Sequence, residues 1–289
     1  MAEKSGRISF LIGILSKITL FLVLLVIGVG VWGVMYEPTQ LRYTQVKMKS
    51  VRWPQHWQPI RVVVVSDLHV GSRYIDLAKL ETIVRLINTA EPDVVLLIGS
   101  FMPGDFFRTP ISPKDFAPVL GKIETKTKGG VLALLGRHDA LDGGKQLLDA
   151  LKKEKITVLS NSAVPIKLAQ KKRFWVVGFG DNPLDYEKAM AKPPAGEPVF
   201  GMVHNPTHFS DIPLKVDMVF AGYTHGGLVV VPEYPLPFLP DGVPDKYAYG
   251  LVSENEHQMF VTAGIGTDEY PIRLNNKPEI LVVTVIAGK

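Results

Sequence analysis

The chain has 289 residues, with 32 lysines and arginines against 28 aspartates and glutamates, and a formal net charge of +4. Hydrophobic residues make up 46% of it, which excludes a disordered chain and permits a large core. Cysteine is absent, which excludes disulfides, thiolate metal sites and cysteine nucleophiles. The basic residues form no long block, so no nucleic-acid partner is expected.

The first 36 residues differ from the rest of the chain. An uncharged segment from Ile18 to Met35 is long enough to span a membrane as a helix. Lys4, Arg7 and Lys17 precede this segment, so the positive-inside rule places the N-terminus in the cytoplasm and the main domain outside it. A cleaved signal peptide is the alternative, but no A-x-A-like cleavage site follows the apolar segment. We therefore predict an uncleaved, single-pass anchor at residues 1–36.

The remainder divides into a polar tether at residues 37–60 and a folded domain at residues 61–289. Helices are predicted after Asp76 and over residues 143–154. Short apolar runs predict strands near residues 62–65, 94–98, 131–135, 174–177, 199–203, 217–221, 228–231, 259–262 and 280–285. Strands that first alternate with helices and then follow one another predict one α/β domain with a large or doubled sheet.

Polar motifs follow five of these strands, at the point where each strand ends. In Ser66-Asp67-Leu68-His69, a carboxylate and an imidazole two positions apart would project to one side of an extended backbone. The other motifs are Gly99-Ser100-Phe101, Gly136-Arg137-His138-Asp139, Val203-His204-Asn205 and Gly222-Tyr223-Thr224-His225-Gly226-Gly227. Open α/β sheets place ligands at the carboxyl ends of their strands, and carboxylates with imidazoles suit a divalent metal. Taken alone, the first motif is equally compatible with an aspartate that caps the next turn.

The order and spacing of these motifs resemble the calcineurin-like metallophosphoesterases, in particular their bacterial membrane-associated branch. The resemblance covers roughly residues 60–288 and includes the later segment Ala263-Gly264-Ile265-Gly266. It implies two packed mixed β-sheets flanked by helices, a four-layer sandwich. It also implies two divalent metals that activate a water molecule against a phosphoester or pyrophosphate. With the N-terminal helix, it implies a bacterial inner-membrane protein whose main domain is periplasmic.

Transferred by position, the resemblance assigns the first metal to Asp67, His69 and His225. His138 matches the family's general acid or phosphate-contacting histidine, and Asp139 beside it would orient that side chain. Two imidazoles and one carboxylate with an open position form a known catalytic zinc pattern. The set is therefore compatible with one divalent metal, which could be Zn, Mn or Fe.

The set expected for the second metal is substituted. His204 remains, but Ser100 stands where a bridging carboxylate is expected, Arg137 where an asparagine is expected and Tyr223 where a histidine is expected. Arginine offers no lone pair and stays protonated, so it cannot bind a cation. At about 4 Å, two like unit charges cost on the order of 4 kcal/mol even at an effective dielectric of 20. We therefore expect no second metal in the usual place, unless Gly104-Asp105 supplies a displaced carboxylate.

Two functional hypotheses remain at this point. In the first, Arg137 replaces the second metal, grips a phosphate bidentately and supports single-metal hydrolysis. In the second, the protein is a catalytically silent pseudoenzyme that acts as a binding or assembly subunit at the membrane.

The loop at residues 232–250 is rich in proline and in apolar residues such as Tyr234 and Phe238. Core packing by a proline-restrained loop explains this composition. A lip that contacts the membrane, a lipid or a protein partner beside the site explains it equally well.

Overall fold

The protein is built from twelve strands and six α-helices, as seen in a computed structural model that describes residues 2–104, 109, 111–141, 144–180, 183–255, 257–267 and 269–288. The helices are α1 (Ala2–Val31), α2 (Leu77–Thr89), α3 (Pro113–Leu120), α4 (Arg137–Leu141), α5 (Gly144–Lys153) and α6 (Tyr186–Ala189). The strands are β1 (Arg42–Ser50), β2 (Ile60–Ser66), β3 (Val94–Ile98), β4 (Val131–Leu134), β5 (Thr157–Leu159), β6 (Ser162–Lys167), β7 (Arg173–Phe179), β8 (Val199–Val203), β9 (Met218–Ala221), β10 (Gly250–Glu254), β11 (His257–Val261) and β12 (Glu279–Ala287).

The strands form two mixed six-stranded sheets, ordered β1-β12-β2-β3-β4-β5 and β10-β11-β9-β8-β7-β6. Strands β2 to β5 run parallel, as do β7, β8, β9 and β11, whereas β2 pairs with β12 in the antiparallel sense. The carboxyl ends of the parallel strands therefore meet at one edge of each sheet. The predicted fold class, two mixed sheets flanked by helices, is confirmed.

The apolar run in β2 shows why the domain has four layers. Val62 and Val64 pack between the two sheets, and Val63 and Val65 pack toward the helices on the outer face of the first sheet. Successive side chains of a strand point to opposite faces, so a strand buried on both faces is continuously apolar. A third apolar cluster covers the outer face of the second sheet.

The start of helix α2 is fixed by the predicted cap. Asp76 accepts the backbone N–H of Lys79 at 2.7 Å, which satisfies a donor that the first helical turn leaves without a partner. The apolar face of the helix is buried against the first sheet at Leu80, Ile83 and Ile87. This cap and this face hold the loop after β2 against the sheet.

The prediction of a polar tether at residues 37–60 is wrong. Strand β1 occupies residues 42–50 and pairs with β12 along its whole length, from Arg42–Glu279 to Ser50–Ala287. Trp53 is only 1% exposed in the core between the sheets. Strand β1 lies at the edge of the sheet and carries polar side chains on its solvent-facing side. Because of these side chains, its composition resembles that of a linker.

A further correction concerns residues 228–231, which were predicted to form a strand. Only an isolated bridge between Val229 and Leu274 forms there, because Leu228 has a φ of +55° at the end of a tight turn. Strands β5, β6 and β10 and helices α3, α4 and α6 were not predicted.

Helix α1 is long and apolar enough to cross a membrane. The segment Phe10–Thr39 contains an 18-residue window with a mean hydropathy of 2.7, and none of that window is buried within the protein. A π-helical turn, Trp32–Tyr36, continues directly from α1. The side chains of Lys4 and Arg7, on which the predicted orientation depends, lie outside the described part of the chain.

Candidate metal centre

Three potential metal ligands converge at the carboxyl ends of two strands. Asp67 and His69 follow β2 in the first sheet, and His225 follows β9 in the second. Their ligand atoms all lie within 4.8 Å of one another, and all three residues are buried. A buried carboxylate with two imidazoles is a donor set that fits a divalent metal such as Zn²⁺.

Backbone carbonyls orient both imidazoles. His69 Nδ1 lies 3.0 Å from the carbonyl oxygen of Met102, and His225 Nδ1 lies 3.2 Å from that of Gly266. An Nδ1–H group that donates to a carbonyl leaves Nε2 unprotonated as the ligand atom. His225 Nε2 lies 3.9 Å from Asp67 Oδ1. The orientation of both rings therefore suits metal binding.

The ligand loops are not extended, contrary to the prediction for Asp67 and His69. The two residues have φ values of +53° and +44°, and Tyr223 and His225 in the other loop have φ values of +75° and +50°. This left-handed region is unfavourable for residues other than glycine, and it persists where the surrounding structure fixes it. His69 N, for example, donates to Ser100 O at 3.1 Å. The convergence was predicted correctly, although the predicted backbone geometry was wrong.

The charge state of Asp67 also suits a metal. Burial acts to raise the pKa of its carboxyl, but the electrostatic interaction with His225 and a hydrogen bond from His204 outweigh burial and hold that pKa well below its ordinary value. The backbone N–H of Tyr223 donates to Asp67 Oδ2 at 3.0 Å. A Cβ atom at position 222 would lie 2.6 Å from this same oxygen, so only glycine fits beside it.

The second set of expected ligands has a different arrangement. His204 Nε2 lies 3.2 Å from Asp67 Oδ1, and the His204 ring lies edge-on to Tyr223 with 5.2 Å between centroids. Ser100 is 1% exposed, and its hydroxyl oxygen accepts the backbone N–H of His138 at 3.4 Å. Arg137 is exposed. Asp105, the alternative carboxylate, lies outside the described residues.

A cavity of about 480 Å³ opens beside the ligand His225. One wall carries Arg137, His138, Tyr223 and His225, and the other wall comes from the proline-rich loop and from residues 269–270. The His138 ring lies 5.7 Å from the His69 ring, centroid to centroid. Residues from the motifs that follow β4 and β9 therefore line one cavity.

No family model matches the chain. Phosphodiesterase YaeI of Escherichia coli K12 is 31% identical to it over 238 residues, which cover 79% of this chain and 83% of the relative. The metallophosphoesterase YkuE of Bacillus subtilis 168 is 28% identical over 261 residues, which cover 86% and 87%. The chain belongs to the metallophosphoesterase family. A third relative of this metallophosphoesterase is UDP-2,3-diacylglucosamine pyrophosphatase LpxG of Chlamydia trachomatis, 25% identical over 94% of this chain and 97% of its own length.

Asp139 has a structural role in this metallophosphoesterase. Its Oδ1 accepts the backbone N–H groups of Phe101 and Met102, and its Oδ2 accepts that of Gly136, each at 2.8 Å. The carboxylate thus joins the loop that carries Ser100 to the turn that carries Arg137 and His138. Burial raises the pKa of Asp139 to about 6, although the three backbone hydrogen bonds oppose this shift.

The sequence reasoning missed Arg273, which is fully buried behind the ligands. Its guanidinium donates to the carbonyl oxygens of Ala263 at 2.8 Å and Gly266 at 2.5 Å. Burial lowers the pKa of Arg273 to about 10, and the charges of Asp67 and Glu279 oppose this shift. No motif pointed to this residue, because its partners are backbone carbonyls that a sequence pattern does not reveal.

Proposed function

We propose that this metallophosphoesterase hydrolyses phosphodiesters with one divalent metal, held by Asp67, His69 and His225. Arg137 takes the place of the second metal. The observation that carries this proposal is the contrast between three converging, buried ligands and the substituted residues beside them. The name of phosphodiesterase YaeI supports a phosphodiester as the substrate class.

A divalent metal bound by these three residues would supply Lewis acidity, which lowers the pKa of a water molecule and polarises a phosphoryl oxygen. The other functions fall to side chains of the cavity wall. Arg137 is exposed there, and its fork of N–H donors suits the oxygens of a phosphate. His138 donates a proton to the leaving oxygen. Asp139 acts through the backbone, by fixing the turn that carries both residues.

We further propose that the domain receives its substrate at a membrane surface, with α1 as the anchor. The Tyr74 hydroxyl, with one proton to donate, lies within hydrogen-bond distance of two carbonyl oxygens, that of Val34 just after α1 and that of Pro271 at the cavity side. Next to Pro271, the Tyr270 ring lies 4.8 Å from the Phe238 ring, and both line the cavity. Tyr234 in the same loop is 71% exposed. This continuity from anchor to cavity supports contact of the exposed part of the loop with lipid.

The test uses the full chain, purified in detergent, stripped with a chelator and reloaded with Mn²⁺ or Zn²⁺. Metal per chain is counted by mass spectrometry, and hydrolysis of bis(p-nitrophenyl) phosphate is followed by absorbance. We expect about one metal per chain and metal-dependent turnover. His69→Ala should remove the bound metal and lower turnover on the order of 10³-fold, because a ligand is lost. The exposed His56→Ala is the matched control and should change neither quantity.

Two results would overturn the proposal. Two metals per wild-type chain would show that Arg137 does not replace the second ion. No metal and no turnover would favour the silent binding subunit. A nucleoside diphosphate sugar and a phospholipid in vesicles, assayed in parallel, distinguish pyrophosphate and lipid substrates from a soluble phosphodiester.

A further inference from the structure

The segment that follows the apolar helix is packed against the domain behind the metal ligands. We call residues 32–39 the juxtamembrane segment. Glu37 in this segment is only 4% exposed. Its Oε1 accepts the backbone N–H of Asn276 at 2.6 Å, and its Oε2 accepts the indole N–H of Trp32 at 3.1 Å. A buried carboxylate in this segment is therefore hydrogen-bonded to a residue 239 positions away in the chain.

Asn276 links Glu37 to the loop that carries His225. Its side-chain amide donates to the carbonyl oxygen of His225 at 2.7 Å and to that of Gly226 at 3.1 Å. A Cβ atom at position 226 would lie 2.9 Å from the Asn276 Oδ1 atom, so the amide is packed directly against the turn. Glu37 fixes the backbone of Asn276, and Asn276 fixes the backbone of the ligand His225.

Arg273 provides a second connection between the same two regions. Its backbone N–H donates to the carbonyl oxygen of Gly33 at 2.9 Å, and its side chain donates to that of Gly266 at 2.5 Å. The Gly266 carbonyl is the group that His225 Nδ1 contacts. The juxtamembrane segment thus reaches both the main chain and the imidazole ring of His225.

The turn at His225 needs such support. His225 has a φ of +50° and Leu228 a φ of +55°, both in the left-handed region, which costs free energy for residues other than glycine. Removing the Asn276 amide would also leave two buried carbonyls without these donors. Loss of the Asn276 amide, or of the Glu37 carboxylate that holds Asn276, would allow the turn to relax. The ligand nitrogen of His225 would then move away from Asp67 and His69.

We propose that Glu37 and Asn276 are positioning residues for the metal ligand His225, so that the site reaches its full metal affinity only when the juxtamembrane segment is docked. This inference rests on the metal site of the proposed function. It extends that function because it makes metal affinity depend on the segment next to the anchor.

The test measures the Mn²⁺ dissociation constant of the full chain in detergent, together with the absorption spectrum of bound Co²⁺, which reports ligand geometry. Asn276→Ala should weaken metal binding about 10- to 100-fold, as loss of groups that orient ligands does in other sites. Glu37→Ala should weaken it about 10-fold, and both variants should alter the Co²⁺ spectrum. The double variant should be less than additive, because the two residues act through one chain of contacts.

Two matched controls separate positioning from general loss of stability. Asn88→Ala removes an amide that holds the Lys122 carbonyl at 3.0 Å, far from the site. Glu197→Ala removes a carboxylate that accepts the indole N–H of Trp175 at 2.6 Å, as Glu37 does for Trp32. Both controls should lower the thermal midpoint and leave metal affinity and the Co²⁺ spectrum unchanged.

The outcomes are distinct. If the wild-type chain binds no metal, the proposed function fails. If it binds metal and both site variants bind equally tightly with an unchanged Co²⁺ spectrum, the proposed function stands and this inference is overturned. If Asn276→Ala does not fold, the milder Trp32→Phe decides, because it removes the indole N–H that Glu37 accepts and leaves Glu37 and Asn276 in place. Metal binding weakened about threefold or more in that variant supports the inference, and unchanged binding overturns it.

Discussion

The two halves of the centre differ in charge and in the exposure of Arg137. Asp67, His69 and His225 are all buried. The Asp67 carboxylate is ionised, and backbone carbonyls orient the imidazole rings of His69 and His225 for binding a cation. On the other half, Ser100 is neutral and Arg137 is a cation exposed to the cavity. The substitutions are confined to one half, so the chain keeps the three converging ligands of the other half.

The largest expected effect comes from rebuilding the second half. The triple variant Ser100→Asp, Arg137→Asn and Tyr223→His supplies a carboxylate, an amide and an imidazole beside His204. We expect it to bind a second metal, because a cation is removed and three donors are gained. Metal counting should rise from about one to about two ions per chain.

A control variant sharpens this comparison. Arg137→Asn alone removes the positive charge but supplies no bridging carboxylate, so its metal content should stay at that of the wild type. A triple variant with a wild-type thermal midpoint and no additional metal would show that these positions do not correspond to the family's second ligand set.

A smaller effect is expected when only the cation is changed. Arg137→Ala should lower kcat/KM about 10- to 100-fold and leave metal content unchanged, because charge-assisted hydrogen bonds to phosphate are lost. Arg137→Lys should recover only part of the activity, since an ammonium cannot grip two oxygens in a fixed plane. Steady-state kinetics on bis(p-nitrophenyl) phosphate check both values, with the exposed Arg85→Ala as control. Wild-type kcat/KM in Arg137→Ala would argue against a phosphate-binding role.

The smallest effect concerns the carboxylate that joins the two loops at the site. Because burial raises the pKa of Asp139 to about 6, the folded protein holds this proton more tightly than the unfolded chain does. Stability therefore falls as the pH rises through the interval from the ordinary value of 3.8 to about 6. Between pH 5 and pH 7 the loss comes to about 1 kcal/mol, or about 2 °C in thermal midpoint.

Asp139→Asn removes this titration. The thermal midpoint of the wild type minus that of the variant should therefore shrink from pH 5 to pH 7, even if the variant is less stable at both. Asp149→Asn, at an exposed position on α5, should leave the pH dependence of the midpoint unchanged. If the difference in thermal midpoint between the wild type and Asp139→Asn is the same at both pH values, the pKa of Asp139 is not raised in the folded protein.

Much of the core and of the intact ligand set could be predicted from the sequence. The run Val62–Val65 identified a strand buried on both faces, and the polar motifs after strands identified the edge where ligands meet. Asp67 and His225 follow strands of different sheets, and it was the family resemblance that paired them. The positive φ values of the ligand loops could not be predicted, because they depend on hydrogen bonds to neighbouring strands.

The features that the sequence did not reveal are contacts between distant segments, and they are made through backbone groups. Strand β1 alternates polar and partly buried residues at a sheet edge, so its composition resembled that of a linker. Arg273 and Asn276 satisfy carbonyl groups of distant loops, and no spacing rule connects them to Glu37. Prediction was therefore accurate where side chains determine structure locally and failed where main-chain groups from separate segments meet.

The docking of Gly33 and Glu37 has a practical consequence for recombinant production. Detergent-free preparations of anchored enzymes are commonly made by deleting the apolar helix. A version that starts at Arg42 would retain all twelve strands and would lose the carboxylate and the carbonyl that support the His225 turn. A shortened chain that starts within the last turns of α1, before Trp32, keeps these contacts and removes most of the apolar surface of the helix.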